Sequence, residues 1–216
     1  MVTNLEIIQK YFPEFTKEQI SKLYAFVEAI KLWNEQINLV SRKDIANFEV
    51  NHLLHSLTIY KLVKFERGTR VLDVGTGGGL PGIPLAIMNP DAQFVLIDRI
   101  GKKVEAVKAI ALKLGLRNVE ALQINARDIE GPFDFVVSRA VTRLPEFKHW
   151  IEGKLSAVKN NAIPNGILYL KGGDVEFELK EVGWPATVYD LSKSFPEPWF
   201  ETKKLIHLRD PSSNKK

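Results

Sequence analysis

Residues Val71 to Gly79 read V-L-D-V-G-T-G-G-G, an apolar strand that ends in an acid and runs straight into a glycine turn. A second apolar run, Phe94 to Ile97, ends in Asp98, and a helix-like stretch begins near Gly101. Strand, glycine turn, helix, strand and acid are the parts from which a doubly wound α/β domain builds a pocket for a nucleoside-bearing cofactor. Without Cβ atoms, the turn can close tightly and let the backbone approach a ligand. Asp98, about twenty residues further on, is placed to accept hydrogen bonds from ribose hydroxyls.

The glycine spacing fits two cofactors. Asp73, Gly75, Gly77 and Gly79 give D-x-G-x-G-x-G, the pattern of enzymes that use S-adenosylmethionine (SAM), whereas Gly77, Gly79 and Gly82 satisfy the dinucleotide form G-x-G-x-x-G. Pro81 and Pro84 follow, and proline is tolerated only in a first helical turn. The helix should therefore start late, after a wide loop, while a pyrophosphate wants a tight turn and a close helix N-terminus. Asp73 would repel a pyrophosphate but suits a cationic amino-acid ligand. The chain also has little room for the second domain that most nicotinamide dehydrogenases use. These features favour SAM over NAD.

At 216 residues the chain is expected to form one domain with a small appendage. It has no cysteine, which excludes disulfides and thiolate metal sites and is compatible with the cytoplasm, the expected location. The N-terminal M-V-T-N-L-E-I-I lacks the layout of a signal peptide, and no apolar run approaches a bilayer span, so no membrane association is expected. A net charge of +4 and a pI near 9.1 mildly favour a polyanionic partner.

Thr16 and Gln19 form a capping box, after which Ile20, Leu23, Tyr24, Val27, Ile30, Trp33 and Ile37 recur at helical spacing. A second helical stretch covers about residues 45–63. Residues 1–65 thus read as a helical cap, residues 66–209 as the cofactor-binding domain and residues 210–216 as a disordered tail. From Thr69 strands and helices alternate, as a parallel sheet with covered faces requires. Strands are predicted near 69–74, 93–98, 119–124, 133–138, 166–170, 186–191 and 203–208, with helices near 82–89, 101–114, 145–159 and 176–182. The fold class is α/β: the Rossmann-like class I SAM-dependent methyltransferase form, a seven-stranded, mostly parallel sheet with helices on both faces and an N-terminal helical cap.

Ligands of open α/β sheets sit beyond the carboxyl ends of the strands. Those ends deliver the glycine loop with Leu80; then Asp98, Arg99, Lys102 and Lys103; then Asn125, Ala126, Arg127 and Asp128. They go on to Ser138, Arg139, Ala140 and Arg143, and finally to Lys171 with Gly172 and Gly173. A rim this basic would hold phosphates and focus an anionic substrate. Lys102 and Lys103 could equally form a solvated helix face. Arg139 ends the apolar strand F-D-F-V-V-S-R, where a guanidinium is costly without an anionic or π partner, so a functional role is favoured. His52 and His55 lie one turn apart with no matching carboxylate, so no metal site is expected; His55 reads as packed or capping, and Trp33 as core.

Absences narrow the reaction. An Asp/Asn-Pro-Pro-aromatic loop, used to methylate exocyclic amines, does not follow the fourth strand, where the chain reads S-R-A-V. Without cysteine, neither C5 methylation of pyrimidines through a thiolate nor iron–sulfur radical chemistry is available. What remains is transfer to an atom already nucleophilic at neutral pH, such as a guanine ring nitrogen. Guanine N7 keeps its lone pair in the ring plane and needs only alignment with the methyl group and its leaving sulfur.

At these residues the sequence resembles the RsmG (GidB) family of bacterial 16S rRNA guanine-N7 methyltransferases, over about residues 20–208. The resemblance rests on L-W-N-x-x-I-N-L-V around Trp33 and Asn34, H-L-L-H-S-L from His52, D-V-G-T-G-G-G-L-P-G-I-P-L-A from Asp73 and D-R-I-G-K-K from Asp98. It also rests on N-A-R at Asn125, S-R-A at Ser138 and L-K-G-G at Leu170. It implies methylation of N7 of guanosine 527 in the 530 loop of the small subunit. SAM would be held by Asp73, Gly75, Gly77, Gly79, Leu80, Asp98 and Arg99, with Ala126 and Arg127 flanking its adenine. Arg139 would be catalytic, serving cofactor or target base. Lys102, Lys103, Arg143 and Lys171 would contact 16S rRNA or the small ribosomal subunit, the protein acting as a monomer without a structural metal. Asn51 and His55 depart from the commonest family pattern, which has Arg and Asp there. A methyltransferase with another acceptor, an RNA-binding protein keeping SAM as a structural ligand, and an NAD oxidoreductase are the alternatives.

Overall fold

The computed structural model describes residues 5–41, 44–139 and 141–211. Helices α1 (Glu6–Tyr11) and α2 (Lys17–Asn34) open it. The hydroxyl of Thr16 accepts the Gln19 N–H at 3.2 Å and the Gln19 side chain accepts the Thr16 N–H at 2.9 Å, satisfying two donors that a helix start leaves free. Of the expected apolar stripe, Leu23, Val27 and Ile30 are fully buried, whereas Tyr24 is 44% exposed. Ile37 lies beyond the helix, because Asn34 Oδ1 accepts the N–H groups of Leu39 and Val40 and turns the chain back. The single helix expected over 45–63 is three pieces: a 3₁₀ turn (Ile45–Asn47), a π-helical turn (Glu49–Leu54) and α3 (His55–Leu62).

The alternating part follows as β1 (Arg70–Val74), α4 (Gly82–Met88), β2 (Gln93–Asp98), α5 (Gly101–Lys113), β3 (Val119–Gln123), β4 (Phe135–Arg139) and α6 (Leu144–Ile151). It closes with β5 (Gly166–Gly172), α7 (Glu176–Val182), β6 (Ala186–Asp190) and β7 (Lys203–Leu208). The expectation for 145–159 needs correction, since α6 stops at Ile151. Gly153 takes a left-handed φ of +79°, and the chain then pairs with Phe133 through Lys154 and Ser156 instead of continuing the helix.

The seven strands lie in the order β3-β2-β1-β4-β5-β7-β6, with β7 antiparallel to its neighbours and the other pairings parallel. Because β1 sits between β2 and β4, the chain changes direction across the sheet there, and a crevice opens beyond the strand ends. Leu23, Phe26 and Ile30 of α2 share one core with Phe94 and Leu96 of β2 and with Val107 and Ile110 of α5. Phe147 and Ile151 of α6 and Val182 of α7 cover the opposite face against Val136, Ile167 and Tyr169. The N-terminal helices therefore cap one face of the sheet rather than enclosing a core of their own. Of the expected tail, Asp210 is buried and residues 212–216 lie outside the described residues. Among the described residues no helix is long and apolar enough to cross a membrane, and no cluster of three or more His, Asp or Glu could hold a metal.

Candidate functional site

β1 delivers Asp73 and Val74 to the crevice, and the chain turns at Gly75 with φ +69°. A Cβ on Gly75 would stand 2.5 Å from Val141, so conformation and space both demand glycine there. Asp73, expected to face the ligand, is instead wholly buried beneath the loop. Its Oδ2 accepts the Thr76 hydroxyl at 2.7 Å and the Gly82 N–H at 2.9 Å. Burial pushes its carboxyl up to about 7, against the pull of those two bonds and of the Arg139 charge. Asp73 pegs the loop from below, and a Cβ on Gly82 would sit 2.7 Å from its oxygen.

Asp98 ends β2 on the other side of the crevice. Its Oδ2 accepts the Gly77 N–H at 3.0 Å and its Oδ1 the Ile100 N–H at 2.9 Å. Each oxygen keeps a further lone pair for a ligand hydroxyl. The glycine loop is thus tied to both acids, Asp73 below and Asp98 beside it.

Between these parts lies a cavity of about 550 Å³, a volume suited to a nucleoside-sized ligand. Gly75 and Val74 line one end, Asp98 with Arg99, Ile100 and Lys103 a second side, and Ile124 to Arg127 a third. Val141, Thr142, Glu146 and Trp150 close it. Tyr169 fixes that closing segment: its hydroxyl accepts the N–H groups of Val141 and Thr142 at 2.9 and 3.0 Å and donates to the Thr142 carbonyl at 2.8 Å. The Thr142 hydroxyl in turn donates to Glu146. Arg127 lies 5.9 Å from the Trp150 ring centre. Ile100, Ile124, Ala126 and Trp150 make an apolar wall for a base, and the Asp98 carboxylate sits where a ribose would need an acceptor. These residues fit SAM.

Among the expected cofactor residues, Gly75, Asp98, Arg99, Ala126 and Arg127 line the cavity. Asp73, Gly77, Gly79 and Leu80 belong to the loop and its support instead. Lys103, expected on RNA, lines the cofactor cavity. Val141, Thr142, Glu146 and Trp150 were missed. The first two follow a strand end and were within reach of the strand-end rule. Glu146 and Trp150 sit on α6, and nothing in their spacing marked them.

The expected RNA contacts divide. Lys102 is exposed on α5. Lys171 is not free, because its Nζ lies 2.7 Å from both carboxylate oxygens of Glu178, and Arg143 is paired with Glu181 at 2.7 Å. Arg139 does not line the cavity, and its guanidinium meets the N-terminal helical region instead. It meets His52 and the carbonyl of Asn51, one of the two positions that depart from the family pattern. Burial lowers its pKa to about 10, still far above neutrality. His55 is buried beside Trp199 and Phe200, as its reading as a packed residue requires. Ala140 lies outside the described residues.

The sequence model of a family described as GidB, rRNA small subunit methyltransferase G, matches residues 19–194. A protein of Flavobacterium johnsoniae called ribosomal RNA small subunit methyltransferase G is 51% identical over 204 residues, covering 94% of this chain and 97% of that protein. Its namesake in Bacteroides thetaiotaomicron is 45% identical, covering 94% and 98%. Among solved structures, a SAM-dependent methyltransferase from Aquifex aeolicus superposes with a TM-score of 0.54 at 19% identity, covering 72% of this chain and 89% of its own. A variant of MtNAS crystallised with S-adenosylmethionine gives a TM-score of 0.57 at 17% identity, covering 96% and 78%. At such identities the two structures support the fold alone.

Proposed function

Because the chain belongs to the rRNA small subunit methyltransferase G family, whose reaction moves a methyl group from SAM to guanine N7 in 16S rRNA, we propose that the cavity beside β1 holds SAM and that the acceptor is guanosine 527 in the 530 loop. The observation that carries this reading is the juxtaposition of a nucleoside-sized cavity, with Asp98 on its wall, and an arginine on an adjoining strand end that, among the described residues, forms no direct ion pair.

When bound, SAM supplies a methyl group activated by its sulfonium. Asp98 would accept from the ribose hydroxyls, the wall of Ile100, Ile124, Ala126 and Trp150 would take the adenine, and the loop at Gly75 would leave room for the amino-acid end. Guanine N7 requires no deprotonation, so the chain needs no general base and contributes alignment. N7 becomes cationic as it gains the methyl group. A guanidinium against the ring would oppose that charge, so Arg139 is assigned to the phosphodiester of the target nucleotide. Arg99, Arg127 and Lys102 extend the positive rim along the strand.

Incubation with methyl-labelled SAM and either unmethylated 16S rRNA or small ribosomal subunits, followed by nucleoside analysis, tests this directly. One N7-methylguanosine per molecule, mapped to position 527, is expected. Label in another nucleoside or in protein would overturn the acceptor, and SAM binding without transfer would favour a non-enzymatic RNA-binding role.

A further inference from the structure

Arg139 is half-buried where β4 leaves the sheet, and a guanidinium in that position needs acceptors. The ion pairs of the rim go elsewhere, Lys171 to Glu178 and Arg143 to Glu181, and among the described residues Arg139 forms none. Its Nη1 instead meets two uncharged acceptors, the Asn51 carbonyl at 3.4 Å and Nδ1 of His52 at 2.5 Å. Both come from the π-helical turn Glu49–Leu54, a rare geometry that is frequent at functional sites. The turn is anchored in its own right: Asn51 Nδ2 donates to Asp44 at 3.3 Å, and the Ser41 hydroxyl donates to the same carboxylate at 2.6 Å.

His52 is buried between Phe48 and Trp199. Burial, helped by the Arg139 charge, lowers its pKa to about 3, so the ring is neutral and carries one proton. With Nδ1 accepting from a guanidinium, that proton must sit on Nε2. Nε2 is buried without a partner. His55, one turn on, is buried with neither ring nitrogen partnered, so what sets His52 apart from a packed histidine is the contact that its other nitrogen makes with Arg139. The distinctive contribution of His52 is its Nδ1.

We infer that His52 is a positioning residue for methyl transfer, accepting at Nδ1 from Arg139 and so aiming the other guanidinium N–H groups at the phosphodiester of the target nucleotide. The inference rests on the assignment of Arg139 made above. His52 itself touches no substrate. Its action runs through the arginine.

The test uses the full chain with unmethylated small ribosomal subunits, comparing His52→Leu, His52→Asn, His52→Gln, Arg139→Ala and the double variant His52→Leu/Arg139→Ala. Losing one hydrogen bond to a charged group should lower kcat about tenfold in His52→Leu, with the Kd for SAM unchanged. Asparagine places an acceptor near the position of Nδ1 and should restore most of the rate, whereas glutamine, whose amide reaches toward Nε2, should not. The double variant should be no slower than Arg139→Ala alone.

A native rate in His52→Leu overturns the inference, as does a multiplicative loss in the double variant. If the leucine variant fails to fold, the Asn and Gln pair decides, and equal rates for the two overturn it. A native rate in Arg139→Ala defeats the assignment of Arg139 itself. A slow His52→Leu beside it would then mean that His52 acts by another route.

Discussion

The two sides of the crevice are finished to different degrees. On the β1–β2 side the two acids tie the loop down: Asp73 takes Thr76 and Gly82 on Oδ2, leaving Oδ1 unpartnered, and Asp98 takes Gly77 and Ile100. On the β4 side Arg139 has a carbonyl and a neutral imidazole but, among the described residues, no anion in direct contact; Asp73 and Asp44 act on it only at longer range. A loop whose hydrogen bonds are already made loses little freedom when a small cofactor arrives, which is what preorganised binding requires. A cation without a direct ion-pair partner keeps donors for a substrate anion. Under the proposed function the first side serves SAM and the second RNA, and changes on either side should then separate in the measurements.

The largest separation is expected at Arg139. Arg139→Ala should lower the single-turnover rate about a hundredfold, because transfer in line tolerates little misplacement, while leaving SAM affinity within about twofold. A matching loss of SAM affinity, measured by calorimetry, would erase the division between the two sides.

Asp73 tests the first side through pH. Its folded-state pKa of about 7 lies above the ordinary carboxyl value of 3.8, so it contributes most to stability below about pH 4, and that contribution is lost as pH rises through 7. Asp73→Asn lacks this titration. The unfolding free energy of the native protein relative to this variant should fall by about 4 kcal/mol between pH 4 and 7.5 and then level off. Urea unfolding at several pH values measures it, and a constant difference would mean that the carboxyl titrates normally.

Asp98→Ala should weaken SAM binding about tenfold or more, with little change in RNA affinity, because it removes an acceptor for the ribose and the tie that holds Gly77. Unchanged SAM affinity in the folded variant would contradict that role.

The smallest effects concern the outer rim. Neutralising Lys102 should weaken RNA binding across sequences and lower the log–log salt slope by about 0.7–0.9. Lys171→Ala should leave the slope as it is, since Glu178 already holds that charge. Equal slopes for the two variants would show that neither marks the RNA path.

Much of this was legible in the sequence, for local reasons. The glycine loop and its two acids are contiguous with the strands that carry them, and Thr16 with Gln19 announces the start of α2 within four residues. What escaped depends on long-range contacts. Nothing near Asp73 reveals that its carboxyl points down into the fold, because that depends on Thr76 and Gly82 closing over it. Lys171 reads as a free cation until Glu178, on α7, folds back to it. Trp150 enters the cavity wall only once α6 packs beside the loop that follows β3. The π-helical turn has no period in the sequence to distinguish it from the α-helix that follows, so the role of His52 emerges only from the packing of residues 48–55 against β4.

The central claim is that the acceptor is already nucleophilic and that the chain supplies alignment without a base. Its most direct test is the pH dependence of the single-turnover rate, with SAM and unmethylated small subunits both saturating. The account predicts a rate nearly flat between about pH 6.5 and 8.5, because guanine N7 has no proton to lose. A log-linear rise with pH over that range would contradict it and identify an acceptor that must first be deprotonated.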